Sequence, residues 1–185
     1  MPRRILIVCE GEKTEPNYFR CFPENPQVFD DIDIQGAGYN TVSLVRETIR
    51  RKRNADRDLK PFIETWCVFD KDSFSDRDFK DAVNLASENG IRCAYSIEAF
   101  ELWYLLHYDF CDSKLSRTQY RGKLSERLAA TYMKNSNTMY KLLEPRQKTA
   151  IKNAKRLYEN QKKLPCYQQN PVTTVFMLVE KLIGA

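Results

Sequence analysis

Residues 5–9, Ile-Leu-Ile-Val-Cys, form an uninterrupted apolar run that breaks directly into Glu10-Gly11-Glu12-Lys13-Thr14-Glu15. A strand without polar alternation is covered on both faces, the pattern of a parallel sheet between helices. A buried strand that ends in three carboxylates is either turning onto the surface or delivering charge to a site.

The rest of the chain repeats the strand-then-helix theme. Thr14 is expected to cap a helix reaching about Cys21, with Pro16 tolerated in its first turn. A short strand near 32–35 ends at Gly36-Ala37-Gly38-Tyr39, and "NTVSLVRETIRRKRN" then places Val42, Val45 and Ile49 on one helical face. The basic end of that helix suits its dipole. "IETWCVFD" reads as the next strand, followed by a helix over about 76–89 with Gly90 as its C-terminal cap. "IRCAYS" reads as a fourth strand and "IEAFELWYLLHY" as a fourth helix, capped by Ser96, with Glu98 and Glu101 sharing a face. Such alternation implies a parallel α/β sheet with right-handed crossovers. Beyond Asp109 the pattern becomes helical, near 115–133, 136–163 and 172–183, with Pro145 dividing the middle segment. The expected fold is an α/β parallel sheet of about four strands flanked by helices, with a helical C-terminal half. It is read as one domain over 1–185, an α/β core at 1–108 and a basic helical portion at 109–185.

Composition narrows the classes. A chain of 185 residues can bury a substantial core. Its apolar runs fall well short of the ~18 residues of a membrane span, and no secretory signal precedes the first strand. Six cysteines at 9, 21, 67, 93, 111 and 166 include no CxxC pair, so neither a disulfide framework nor zinc spacing is present. A reduced, cytoplasmic protein with no membrane partner is expected. The net charge of +5 hides an asymmetry: from Lys114 to Lys163 there are fourteen Lys and Arg against three Glu, a net of +11, which leaves −6 elsewhere. A basic portion beside an acid-rich centre suggests a polyanionic partner.

The acids have a place in this fold. Ligands of open parallel sheets bind beyond the carboxyl ends of the strands, where Glu10 closes the first strand and Asp70 and Asp72 close "WCVFDKD". Alternation puts Asp70 and Asp72 on one side and Lys71 on the other. Neighbouring strands lie about 4.8 Å apart, so three acids would crowd at one edge. Either their pKa values rise or a cation sits between them, and carboxylate oxygens suit hard Mg²⁺ or Mn²⁺, which engage phosphates. Glu101, flanked by Phe100, Leu102 and Trp103, needs a partner there and is either a fourth acid or an ion-pair member. Other chemistries fit poorly. His107 is the only histidine and lies on an apolar, aromatic helix, which disfavours a Ser-His-Asp triad or a His-based metal site. "GAGYNT" lacks the third glycine of a dinucleotide fingerprint, and "GEK" at 11–13 lacks the upstream glycine of a Walker loop.

Four blocks, "CEGEKTEPNYF", "VFDKDSF", "AFELWYLLHY" and "NPVTTVFMLVEKL", in this order resemble the RloB-like family. That family belongs to the Toprim superfamily, with its strand-end Glu-Gly and later Asp-x-Asp, and is related to the overcoming-lysogenization-defect nucleases. The resemblance implies Glu10 as the Toprim glutamate and Asp70 and Asp72 as the Asp-x-Asp pair, holding Mg²⁺ (or Mn²⁺) for phosphodiester chemistry. Glu15 is the nearest match to the second acid of the nuclease branch, one residue further from the Glu-Gly than usual, and Glu12 competes with it. Glu101 falls in the Phe-Glu-x-Trp block, and Asn170 and Thr173 in the Asn-Pro block. The resemblance further implies phage defence, often beside a separate ATPase, and makes a structured RNA such as tRNA a plausible substrate.

The expected function is therefore a metal-dependent nuclease acting on RNA or DNA. Lys13 is the candidate for offsetting transition-state charge. Tyr120, Arg121, Arg127, Lys152, Lys155 and Arg156 are the candidates for phosphate contacts and stacking. The alternative is a catalytically silent module that binds nucleic acid or a partner ATPase. Oligomeric state is open, a dimer included.

Overall fold

The computed structural model describes residues 2–23, 25 and 27–185. Four strands, β1 (Arg4–Cys9), β2 (Asp31–Gly36), β3 (Glu64–Lys71) and β4 (Arg92–Ile97), form one sheet in the order β2-β1-β3-β4. Every neighbouring pair is parallel. Helices α1 (Thr14–Phe19), α2 (Thr41–Arg57), α3 (Asp76–Glu88) and α4 (Glu101–Leu105) follow the four strands in turn.

The two central strands, β1 and β3, are buried on both faces, which is why residues 5–9 and 66–69 are apolar throughout, whereas the edge strand β2 keeps Asp31, Asp33 and Gln35. Ile5, Ile7 and Cys9 of β1 and Trp66 and Val68 of β3 pack into one core with α1 and α4. Leu6, Val8, Cys67 and Phe69 pack on the other face against Leu44 and Val45 of α2 and Phe79, Ala82 and Ala86 of α3. Because β2 and β3 lie on opposite sides of β1, α1 and α2 cover opposite faces. The carboxyl ends of β1 and β3 thus flank the point where the winding reverses, the crevice in which such sheets bind ligands.

The C-terminal half is helical: α5 (Arg117–Leu128), α6 (Met139–Leu143), α7 (Gln147–Gln161) and α8 (Val175–Ile183). Tyr120, Leu124, Leu143, Leu157 and Val179 share the core that holds Ile5 and Trp66, so these helices complete the first face of the sheet. Pro145 lies in a 3₁₀ turn, Glu144–Arg146, between α6 and α7, the division its ring requires. Residues 170–174 run along the free edge of β4. The Ile97 amide donates to Val172 O at 2.9 Å, the Thr174 amide to Tyr95 O at 2.8 Å, and the Ser96 and Thr173 hydroxyls meet at 2.8 Å. The Asn170-Pro171 block therefore seals a sheet edge.

Four local expectations are corrected. Thr14 is the first residue of α1 and makes no cap; its hydroxyl donates to Asn135 Oδ1 at 2.7 Å, and the helix ends at Phe19. Ser96 and Ile97 belong to β4, because Asp70 and Lys71 pair with them across the ladder. Ser96 therefore caps nothing. Glu98 sits in the left-handed region at φ 75°, and Glu98 and Glu101 do not share a helical face. Gly90, at φ 63°, takes the predicted place just beyond α3. All six cysteines are free, and among the described residues no helix is long and apolar enough to cross a membrane.

Candidate active site

The site begins where β1 runs out. The Glu10 amide donates to Val68 O at 2.8 Å, which keeps the chain beside β3 for one more residue, and Glu10 Oε2 accepts the Asp70 amide at 3.1 Å. Gly11 then leaves space for a neighbouring side chain: a Cβ there would lie 2.1 Å from Glu15 Oε2. The Glu15 side chain folds back over the glycine and so reaches the end of β1. Gly36 and Gly38 have a related role, since a Cβ on either would come within 2.7 or 2.8 Å of Glu12 atoms. The glycines of "GAGYNT" make room for the loop after β1.

On β3, alternation separates the charges as expected. Lys71 turns to Asp76 at 2.7 Å, whereas Asp70 and Asp72 both face Arg117, at 3.7 and 3.1 Å. Asp70 points to the face covered by α1 and α4, which bring Glu15 and Glu101. Burial, followed by repulsion from Glu15, Glu101 and Glu10, holds the Asp70 carboxyl well above the usual range, with Arg117 opposing. Burial also pushes Glu10 up to about 7; the Asp70 amide pulls it down, and Asp72 and Glu15 add to the rise. Glu15 is raised as well, chiefly by burial. It is only 7% exposed, and its Oε2 has no hydrogen-bond partner. Glu101 is 3% exposed and accepts from Arg121 Nε at 3.2 Å, so it is both a member of the acidic cluster and an ion-pair partner.

Five carboxylates, Glu10, Glu15, Asp70, Asp72 and Glu101, thus gather at the switch-point edge. Glu12 does not join them; its exposed side chain lies against Gly38. Lys13 is exposed and, with Lys134 and Asn135, lines a hollow of about 330 Å³ that also contains Gly11 and Glu15. His107 is buried, with Nδ1 2.9 Å from Trp103 O, and burial lowers it to about 4. It is a neutral structural residue, more deeply buried than its sequence suggests.

Sequence reasoning missed Arg117, Lys134 and the anchoring role of Glu98. Arg117 opens α5, whose Ser116-x-x-Gln119 start is a capping box that was legible in the sequence. Its meeting with Asp72, 45 residues away, was not legible. Lys134 lies in a connecting loop and contributes a favourable charge to Glu15.

The donor set suits a hard cation: every candidate ligand is a carboxylate oxygen, and one buried oxygen of Glu15 is unpartnered. Among the described residues, however, no three His, Cys, Asp or Glu side chains stand in position to hold a metal ion together. Asp72 is turned to Arg117 and Glu10 to the Asp70 amide.

Comparison with family models matches residues 5–182, nearly the whole chain, to the RloB-like protein family. The chain belongs to the RloB-like family. Comparison with curated proteins and with solved structures found no match.

In the basic half of this RloB-like chain, most of the residues expected to contact nucleic acid are already engaged within the protein. Tyr120 is fully buried in the core, which removes it from any stacking contact with nucleic acid. Arg121 is engaged by Glu101, Arg127 by Asp109 at 2.5 Å and Lys155 by Glu180 at 2.5 Å. Arg156 lies over the Phe110 ring at 4.0 Å. Lys152 remains exposed. On the opposite side of the sheet, α2 presents exposed Arg46 and Arg53 beside a groove that Asp56 also lines, together with Leu85 of α3 and Asn89 just beyond it; neither arginine is in an ion pair among the described residues.

Proposed function

We propose that this chain is a Mg²⁺- or Mn²⁺-dependent nuclease of the Toprim type that cleaves phosphodiester bonds of RNA, such as tRNA, or DNA. The observation that carries this reading is the gathering of five carboxylates, one with a buried unpartnered oxygen, at the switch-point edge of a parallel sheet. Acids are not buried against one another without an offsetting function, because each raises the ionisation cost of the next. Glu10, Asp70 and Asp72 would hold the cation, with Glu15 and Glu101 behind them. Bound there, it supplies Lewis acidity and an activated water for hydrolysis.

The chain's own residues do the rest. The Asp70 amide orients Glu10 from the main chain, so that carboxylate is positioned before any ligand arrives. Arg121 fixes Glu101 at the back of the site. Lys13 and Lys134, which line the hollow beside Glu12 and Glu15, would receive phosphate oxygens in this reading. The proposed setting is phage defence in the cytoplasm, with a separate ATPase as a candidate partner.

A silent binding module is the second reading. Arg117 favours it by standing against Asp70 and Asp72, where a cation would otherwise sit. One experiment separates the two: incubate wild type and Glu10→Gln with Mg²⁺ or Mn²⁺ and a pool of tRNA, single-stranded RNA and DNA, with matched melting curves. Defined cuts by the wild type and a loss of at least about 100-fold in the folded variant are expected. Cleavage by both proteins would remove Glu10 from the mechanism. Binding without cleavage by either would leave the silent module.

A further inference from the structure

We infer that Arg117 is the built-in counter-ion of the carboxylate cluster, and that a divalent cation binds by displacing it from Asp70 and Asp72. The inference rests on the metal-dependent reading above. Of the basic side chains near the strand ends, Lys71 is turned away to Asp76, and Arg121 is committed to Glu101. Lys13 and Lys134 lie on the Glu15 side. Among the described residues, Arg117 alone pairs with both Asp70 and Asp72.

Its hold on them is loose. A single nitrogen, Nη2, lies 3.1 Å from Asp72 Oδ2, 3.7 Å from Asp70 Oδ2 and 3.1 Å from Glu98 O. Arginine binds carboxylates most strongly through a two-nitrogen fork, and no such fork forms here. One charge is shared between two carboxylates, with the side chain 34% exposed and a path to solvent. A divalent ion brings twice the charge and binds the same oxygens directly, so the two cannot occupy the aspartates together.

The main chain is anchored separately. The Arg117 amide donates to Glu98 Oε1 at 3.1 Å, and Glu98 is itself held in the left-handed region. The capping box of α5 is made by Ser116 and Gln119 and does not involve the guanidinium. The side chain can therefore leave while the helix start stays in place. This arrangement explains how a cluster built from metal-type donors lacks a three-ligand set: its aspartates are facing their stand-in.

The test is a Mn²⁺ titration by calorimetry of wild type, Arg117→Gln and Arg117→Lys, with melting curves in chelator and in Mn²⁺. Without its competitor, Arg117→Gln should bind Mn²⁺ up to about fivefold tighter, the range of a partly exposed ion pair, and should melt lower than wild type in chelator. Arg117→Lys should fall between them, and it carries the test if the glutamine variant does not fold. Equal or weaker binding by the variants would overturn the inference, weaker binding meaning that Arg117 aligns the aspartates for the metal. Absence of Mn²⁺ binding by all three proteins would overturn the metal-dependent reading itself, and this inference with it.

Discussion

The strand-end cluster and the basic helical half carry opposite charges and handle them in opposite ways. At the ends of β1 and β3, Glu15 is buried and Glu10 and Asp70 half-buried beside like charges, and their ionisation is held back. Across residues 114–163 five of the fourteen cations are held by acids: Arg117 and Arg121 go to the cluster, Arg127 to Asp109, Lys155 to Glu180, and Lys162 to Glu159. A segment's net charge says little about a site, because pairing is cheap on a surface. Burial of same-sign groups is costly, so where it occurs it points to function. The acid-rich edge, with the smaller charge imbalance in the sequence, is the stronger functional signal.

The largest test of that contrast is at Asp70. Asp70→Asn should abolish measurable Mn²⁺ binding in calorimetry, yet raise the metal-free melting temperature at pH 8 by several degrees, because the most crowded carboxylate is gone. Undiminished Mn²⁺ affinity would break the link between the crowding and metal binding.

A smaller effect is expected at Gly11. A Cβ there meets the flexible end of Glu15, so Gly11→Ala should cost only about 1–2 kcal/mol while driving Glu15 off the strand end. Weakened Mn²⁺ binding at near-normal stability would show that the glycine serves Glu15 and not the turn.

The cluster also predicts a pH dependence. Glu10 titrates near 7 in the folded protein against an ordinary value of 4.5, so between these values the native state binds the extra proton. Its contribution to metal-free stability is greatest below about 4.5, declines as pH rises toward 7, and is flat above. Melting curves in chelator at pH 5.5, 6.5 and 8 should show the decline, and Glu10→Gln should flatten part of it. A stability that climbs through this window would contradict the crowded site.

The smallest effects belong to the basic regions. Lys152→Glu should weaken binding to a tRNA or DNA probe modestly and reduce the salt slope by about one phosphate contact. Arg46→Glu with Arg53→Glu on α2 is the comparison to run beside it, since neither of those arginines is in an ion pair among the described residues. A larger loss from the α2 pair would move the nucleic-acid surface away from the C-terminal half.

Local periodicity and turn chemistry were enough to read much of this protein. The double burial of β1 and β3, the strand-end positions of Glu10, Asp70 and Asp72, the outward turn of Lys71, the break at Pro145 and the cap at Gly90 all follow from contacts a few residues apart, with physics that is the same in any fold. The fate of each charge was a different matter. Glu15 is buried because Gly11 leaves space for it; Tyr120 is buried because α5 completes the first face of the sheet; Ser96 remains in a strand because Asp70 pairs with it on one side and Thr173 on the other. Arg117 meets Asp72 only after the C-terminal half closes over the sheet. The sequence by itself determined which elements form and which acids reach the strand ends, since both depend on local hydrogen bonding and side-chain alternation. Only the tertiary structure decided which acids are crowded, which cations are spent on partners and which remain free, because electrostatic pairing depends on distance in space and on burial, and neither is set until the chain has closed on itself.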